Sequence, residues 1–232
     1  MISMIDFHSH ILPGIDDGSK DVAESLAMLS ALKEQGVDTV VATPHFYANH
    51  HSVEEFLRRR QKAMDRLSAE LFEGAPTIVL GAEVRYYEGI SRLQNLESLC
   101  IGDSKLLLLE MPFDQWTEYT VRELIDLSCR SRIRLVLAHI ERYLRMQDPS
   151  VWDRLSDSGI LMQVNASFLS EFRTRRKAVR MLSDQTVRFI GSDCHNMTDR
   201  PPQIKKAFDL IQKKLGEDFL TQMNDFASSM LV

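Results

Sequence analysis

The chain has 232 residues, a net charge of −5 and 44% hydrophobic residues, enough for one sizeable core and unlike a low-complexity or disordered chain. The acidic balance excludes the basic excess of a duplex-binding protein, so no nucleic acid is expected as partner. No window approaches the ~20 apolar residues of a membrane span, and the first residues carry neither a basic region nor a long apolar run. The three cysteines, Cys100, Cys129 and Cys194, form no CxxC pair, which fits a reducing cytoplasm better than a disulfide scaffold. The expectation is one cytoplasmic domain over residues 1–232, without direct membrane insertion and free to form an oligomer.

The first predicted strand, residues 4–8, ends in Asp6-Phe7-His8-Ser9-His10. His8 and His10 stand two apart on a strand, so they share a face and can grip one cation. Pro13–Gly18 is a turn with two carboxylates, Asp16 and Asp17; it reads as a plain turn before a helix or as the source of a ligand, with Asp17 the preferred choice. Ser19 is expected to cap a helix with Val22, Leu26, Leu29 and Leu32 on one face, ended by Gly36. A strand at 38–43 is followed by His45. Ser52 and Glu55 form a capping box for a helix running to about Phe72.

A third strand at 77–81 is followed by Glu83. The fourth, 105–110, ends four leucines in Glu110, and a carboxylate there is costly unless partnered. A helix over 117–132 leads to a strand at 134–139 that closes on His139. A helix over 149–158, a strand at 160–165 and a helix over 174–184 follow. The last strand, 187–192, runs into Asp193-Cys194-His195. Helices over 202–215 and 217–228 complete the chain.

Seven mostly apolar strands alternating with helices predict an α/β fold with a parallel sheet. Polar residues sit at the carboxyl ends of nearly every strand. Those ends meet at one rim in a seven-stranded (β/α) barrel, whereas an open sheet would spread them apart.

Taken singly, each polar residue has a structural explanation. Together His8, His10, Asp17, His45, Glu83, Glu110, His139, Asp193 and His195 make nine potential ligands, enough for two or three ions if carboxylates bridge. A structural zinc site needs only four ligands and favours Cys. Mixed His/carboxylate ligation points to catalysis and accepts Mn, Fe, Zn or Co. A second pattern is a decoy. Cys194 and Arg200 match C-x5-R, the pattern of cysteine-dependent tyrosine phosphatases, but the interval has no Gly and Arg200 runs into Pro201-Pro202, which lack N–H donors for a phosphate cradle. His50 and His51 read as a solvated pair. Phe46, Tyr47, Tyr86, Tyr87 and Trp116 follow strand ends and serve either packing or the mouth of a site. The basic run Arg173–Lys177 reads as solvated surface or as a contact for an acidic or phosphorylated tail.

The order DFHSH, TPH, GAE, AHIER, SDCHN resembles the PHP (polymerase and histidinol phosphatase) superfamily of metal-dependent phosphoesterases. The stretches 8–18, 138–143, 163–167, 192–196 and 200–202 resemble more narrowly the bacterial tyrosine-protein phosphatases of capsule and exopolysaccharide operons. The resemblance implies a distorted seven-stranded barrel with a trinuclear site, often loaded with manganese. It places His8, His10, Glu83 and Asp193 on one ion, makes Glu83 a bridge to a second shared with Glu110 and His139, and gives Asp17, His45 and His195 a third. It also makes Arg142 and Arg200 phosphate-binding arginines, for which guanidinium forks are suited. The activity implied is attack of a metal-bridging hydroxide on phosphotyrosine, with the autophosphorylated tail of a polysaccharide-synthesis kinase as partner. Tyrosine ionises near pH 10, so its phenolate leaves readily and no general acid is assigned. The alternatives are a small-molecule phosphatase, such as a histidinol-phosphate phosphatase, and a non-catalytic metal-bound regulatory module.

Overall fold

The computed structural model describes residues 4–130 and 132–231. Nine parallel strand segments form the centre: β1 (Met4–Ser9), β2 (Val37–Ala42), β3 (His45–Phe46), β4 (Thr77–Leu80), β5 (Glu83–Arg85), β6 (Leu106–Glu110), β7 (Arg134–Leu137), β8 (Leu161–Asn165) and β9 (Phe189–Gly191). They assemble as one sheet ordered β1-β2-β4 and another ordered β3-β5-β6-β7-β8-β9. A parallel bridge between Ser9 and Cys194 brings the chain after β9 back beside the end of β1, so the whole curls. Helices α1 (Val22–Glu34), α2 (Val53–Ser68), α3 (Glu118–Arg130), α4 (Pro149–Asp157), α5 (Ala166–Ser170), α6 (Arg175–Ser183), α7 (Lys205–Leu215) and α8 (Glu217–Ser229) complete it.

The α/β class and the parallel curl agree with expectation; the count of seven continuous strands does not. The strands expected at 38–43 and 77–81 each break into two segments, β2/β3 and β4/β5. Pro44, which has no N–H, interrupts the first. Bonding between the two chains continues through the break, since Gly81 N–H donates to Ala42 O (2.8 Å) and Glu83 N–H to Pro44 O (3.1 Å). The break bends both chains and brings His45 and Glu83 level with each other as paired residues of β3 and β5.

Strand alternation splits the core. Leu107 and Leu109 join the large cluster under the helices, while Leu106 and Leu108 join a smaller one with Ile5, Phe7, Val41, Val136 and Phe189. Phe7 and Phe189 stack with centroids 3.9 Å apart, locking β1 to β9. Asn224 of α8 accepts the Ile5 N–H at 3.3 Å.

Helix boundaries depart from the sequence reading in informative ways. The cap of α1 is Asp21, which accepts the Glu24 N–H at 2.9 Å; Ser19 instead bonds Ser25 and the Asp21 carbonyl. Ser52 caps α2 as expected, but the helix ends at Ser68, before a turn through Gly74 at φ 76°. The helix expected from Pro202 starts at Lys205. Two prolines precede it, and Gln35, at the end of α1, accepts the Ile204 and Lys205 N–H groups at 2.9 and 3.1 Å. Residue 131 of the helix expected over 117–132 lies outside the described residues. The short helix α5 was not expected; five residues give no helical period to read.

Candidate metal centre

Every residue of the predicted ligand set lies at the carboxyl end of the curled sheet. The seam between β1 and β9 sets two of them. Asp193 N–H donates to His8 O (2.8 Å) and His10 N–H to Cys194 O (2.9 Å). Buried Asp6 accepts both the Ser192 N–H (2.7 Å) and its hydroxyl (2.6 Å). Gly191 is required here, because a Cβ on it would lie 2.4 Å from His8 Cβ. His139 (φ 33°) and Asp193 (φ 54°) occupy the left-handed region. Such backbone costs roughly 1–3 kcal/mol per residue and persists only where surroundings enforce it.

The donor atoms converge. His8 Nε2, His10 Nε2 and Glu83 Oε2 stand 3.2 Å from one another, and both imidazole nitrogens lie 3.6 Å from Asp193 Oδ1. Ligands about 2.0–2.1 Å from a tetrahedral ion are separated by about 3.3–3.4 Å, close to the spacing of the two imidazole nitrogens from each other, from Glu83 and from Asp193. Glu83 also points its other oxygen at His139 Nε2 (2.8 Å), which lies 3.8 Å from Glu110 Oε1. Asp17 Oδ1 stands 3.5 Å from His45 Nε2 and 3.6 Å from His195 Nε2. Three groups of donors cluster tightly enough to hold an ion: His8, His10 and Asp193; His45, Glu83 and Glu110; and His10, Asp17, His45 and His195. This grouping differs from the implied division: it shares His10 and His45 between neighbouring positions, leaves Glu83 out of the first group and puts His45 where His139 was expected in the second.

Four of the five imidazoles are oriented from behind. His10 Nδ1 pairs with Asp16 Oδ2 at 2.8 Å, His8 Nδ1 with Gln163 Oε1 at 3.3 Å, His195 Nδ1 with Asp193 O at 3.0 Å, and His139 Nδ1 with Tyr143 Oη at 3.3 Å. A histidine whose far nitrogen is committed in this way offers the other to a metal. Asp16 and Asp17 are thereby told apart. Asp16 is buried and also accepts the His45 and Gly18 N–H groups, while Asp17 faces the donors with its side chain 66% exposed.

The electrostatics suit cations. Burial opposes charge on Glu83, yet His8, His10 and His139 hold its carboxyl well below the usual range. Asp193 is likewise lowered despite its burial, chiefly by His8. His10 is raised to about 10, since the Asp16 and Glu83 carboxylates outweigh its burial. Burial and the neighbouring His10 push His195 down to about 4, leaving a neutral imidazole. His45 Nδ1 and His195 Nε2 are buried without a hydrogen-bond partner. Buried orphans of this kind are rare, and here they point into a carboxylate-rich cluster, so the residues fit divalent cations.

A cleft of about 960 Å³ opens over the cluster. Arg142 and Arg200 reach it, and each donates to Asp193 Oδ2, at 2.6 and 2.7 Å. Asn165 Nδ2 donates to the same oxygen at 2.8 Å, leaving Oδ1 to face the histidines. Arg85 also lines the cleft and holds Glu110 Oε2 at 2.9 Å; it was not singled out in the sequence, where an Arg inside a short strand carries no distinguishing pattern. Gln163 and Asp16 were missed in these roles for the same reason. Of the aromatics after strand ends, Tyr47, Tyr86 and Tyr87 line the cleft, while Phe46 and Trp116 pack in the core. His51 contacts Arg59 rather than the cluster. Cys194 is fully buried, and burial raises its thiol well above the ordinary value, so it is not an available nucleophile.

Parallel strands delivering clustered histidines and carboxylates to one end of a curled sheet define an α/β protein with a candidate metal site. The family model for capsular polysaccharide synthesis proteins CpsB/CapC matches residues 4–230, and the chain belongs to that family. It is 32% identical to the tyrosine-protein phosphatase YwqE of Bacillus subtilis, over 98% of this chain and 91% of that one. Its structure is similar to those described as YwqE from Bacillus subtilis and CpsB from Streptococcus pneumoniae, unique metal-dependent tyrosine phosphatases, with TM-score 0.83, 26% identity and coverage of 98% and 94%. The histidinol phosphate phosphatase of Lactococcus lactis shares the fold at TM-score 0.57 and 15% identity, over 92% of this chain and 94% of that one.

Proposed function

We propose that this chain is a metal-dependent protein-tyrosine phosphatase acting on a phosphotyrosine protein, with the tail of a polysaccharide-synthesis tyrosine kinase as partner. The observation that carries the reading is the convergence of three histidine–carboxylate donor groups beneath a cleft that two arginines enter. The metal ligands of the reading are His8, His10, Asp17, His45, Glu83, Glu110, His139, Asp193 and His195, holding two or three ions, with manganese the expected metal. In fold terms, β2/β3 and β4/β5 act as two bent strands of one seven-stranded barrel, and residues 1–232 act as one domain. The free thiols of Cys100, Cys129 and Cys194 suit a reducing cytoplasm.

Divalent ions held by these histidines and carboxylates would supply a Lewis acid and would lower the pKa of water. The residues do the rest. Arg142 and Arg200 each commit one nitrogen to Asp193 and keep further N–H donors for phosphate oxygens. Asp16, Gln163 and Tyr143 fix the imidazole tautomers from behind. Tyr47, Tyr86 and Tyr87 offer aromatic faces for the phenyl ring of the substrate. The exposed Asp17 and the breadth of the cleft suit a residue presented on a protein better than a metabolite enclosed on all sides.

The test compares kcat/KM of the manganese-loaded protein on a phosphotyrosine peptide, the matching phosphoserine peptide and histidinol phosphate. The reading requires the phosphotyrosine peptide to lead by at least about tenfold, the factor that 1.4 kcal/mol of transition-state preference gives. Histidinol phosphate in the lead would replace it with the small-molecule reading.

A further inference from the structure

The motif that the site leaves unused is the basic run after α5. A second groove, of about 420 Å³, lies between the turn after β7 and the start of α6. Arg145, Arg173 and Lys177 line it, all exposed and none ion-paired among the described residues. Its carboxylates are Glu141, which is half-buried and accepts the Asn165 N–H, and exposed Glu171. The floor is apolar, from Leu144 and Phe168. Phe172, next to Arg173, is 88% exposed, the most exposed large apolar side chain described.

This groove is not isolated from the catalytic cleft. Arg142 lines both. A smaller hollow of about 250 Å³ joins them, sharing Ser167 with the groove and Asp193 and Arg200 with the cleft. A chain bound with one residue in the cleft can therefore continue over Arg142 into the groove. Three free cations on a protein of net charge −5 are a local reversal of sign, which attracts anionic chain and repels cationic chain.

We infer that the groove receives acidic side chains flanking the phosphotyrosine of the substrate, with Phe172 as an apolar anchor at its edge. The inference rests on the proposed phosphotyrosine reading and deepens it. It makes selection among phosphoproteins a matter of flanking charge, separate from the chemistry over the metals.

The experiment uses the manganese-loaded protein and three phosphotyrosine peptides of equal length, with flanks of Glu, Gln or Lys. Para-nitrophenyl phosphate, which has no flanks, reports the chemistry alone. Exposed charge contacts each contribute little, so three together should favour the Glu peptide over the Gln peptide by about tenfold, mostly in KM. The preference should shrink in high salt. The triple variant Arg145→Gln/Arg173→Gln/Lys177→Gln should lose it while para-nitrophenyl phosphate turnover holds. Fluorescence anisotropy of the same peptides gives a readout that needs no turnover. Equal binding of Glu and Gln peptides, or a preference that survives the triple variant, overturns the inference. Turnover of no phosphotyrosine substrate would instead sink the underlying reading, while anisotropy would still judge the groove.

Discussion

Asp16 and Asp17 stand side by side in one turn and have different tasks. Asp16 locks His10 and the His45 backbone; Asp17 offers its carboxylate to His45 and His195. Removing the partner behind a ligating histidine typically costs about 10–100-fold in metal affinity. Asp16→Asn should therefore weaken manganese binding by that factor in a calorimetric titration, and unchanged affinity would mean that the His10 pair does not orient the ligand. From the sequence either carboxylate could be the ligand, with Asp17 preferred, and the place of Asp16 behind His10 was not legible, because two adjacent carboxylates in a turn differ only in where the fold aims them. The same holds for Gln163, whose amide is recognisable only once β8 places it between His8 and the His139 N–H. That the nine candidate donors would gather at one end of the sheet was legible, because a histidine or carboxylate ending an apolar run needs a partner.

At the level of elements, the β1–β9 seam positions His8, His10 and Asp193 together, and Gly191 leaves no room for a Cβ beside His8. Gly191→Ala should displace His8, lower stability by about 2 kcal/mol or more and abolish tight metal binding. Denaturant melts with and without manganese measure both, and a variant with wild-type metal stabilisation would contradict this account of the seam. Asp21→Ala removes the cap of α1, a side chain bonded to the Glu24 N–H and not one of the candidate donors. It should cost about 1 kcal/mol in the same melts and leave kcat/KM unchanged. Strands were legible as apolar runs closed by polar residues. Their breaks at Pro44 and Gly81 were not, since the bond pattern through a bend depends on the neighbouring chain. The cap of α1 was misplaced because Ser19 and Asp21 both carry the right chemistry and only the backbone direction decides between them.

For the whole molecule, the clustered carboxylates and imidazoles tie stability and metal loading to pH. In the metal-free protein Asp16 falls from its ordinary 3.8 to about 2, so the stability it confers is present above pH 3.8 and lost as pH falls toward 2. His10 rises from 6.5 to about 10, so its contribution is present below pH 6.5 and lost as pH rises through 10. The His10–Asp16 pair therefore stabilises the metal-free fold most between about pH 4 and 6.5, and Tm of the chelated protein should fall on both sides of that range. A metal must displace the His10 proton. Apparent manganese affinity should rise with pH between 6 and 9, with proton release on binding; a pH-independent affinity would remove His10 from the ligand set.

In the proposed enzyme, hydrolysis rests on the clustered histidines and carboxylates and not on the buried Cys194. The most direct measurement is turnover of a phosphotyrosine peptide by metal-stripped protein, with and without added Mn²⁺, for wild type and Cys194→Ser. Activity that vanishes on stripping, returns with Mn²⁺ and survives the cysteine change is the predicted result. Activity that persists in the stripped protein and is lost in Cys194→Ser would contradict the account and restore C-x5-R as the catalytic motif.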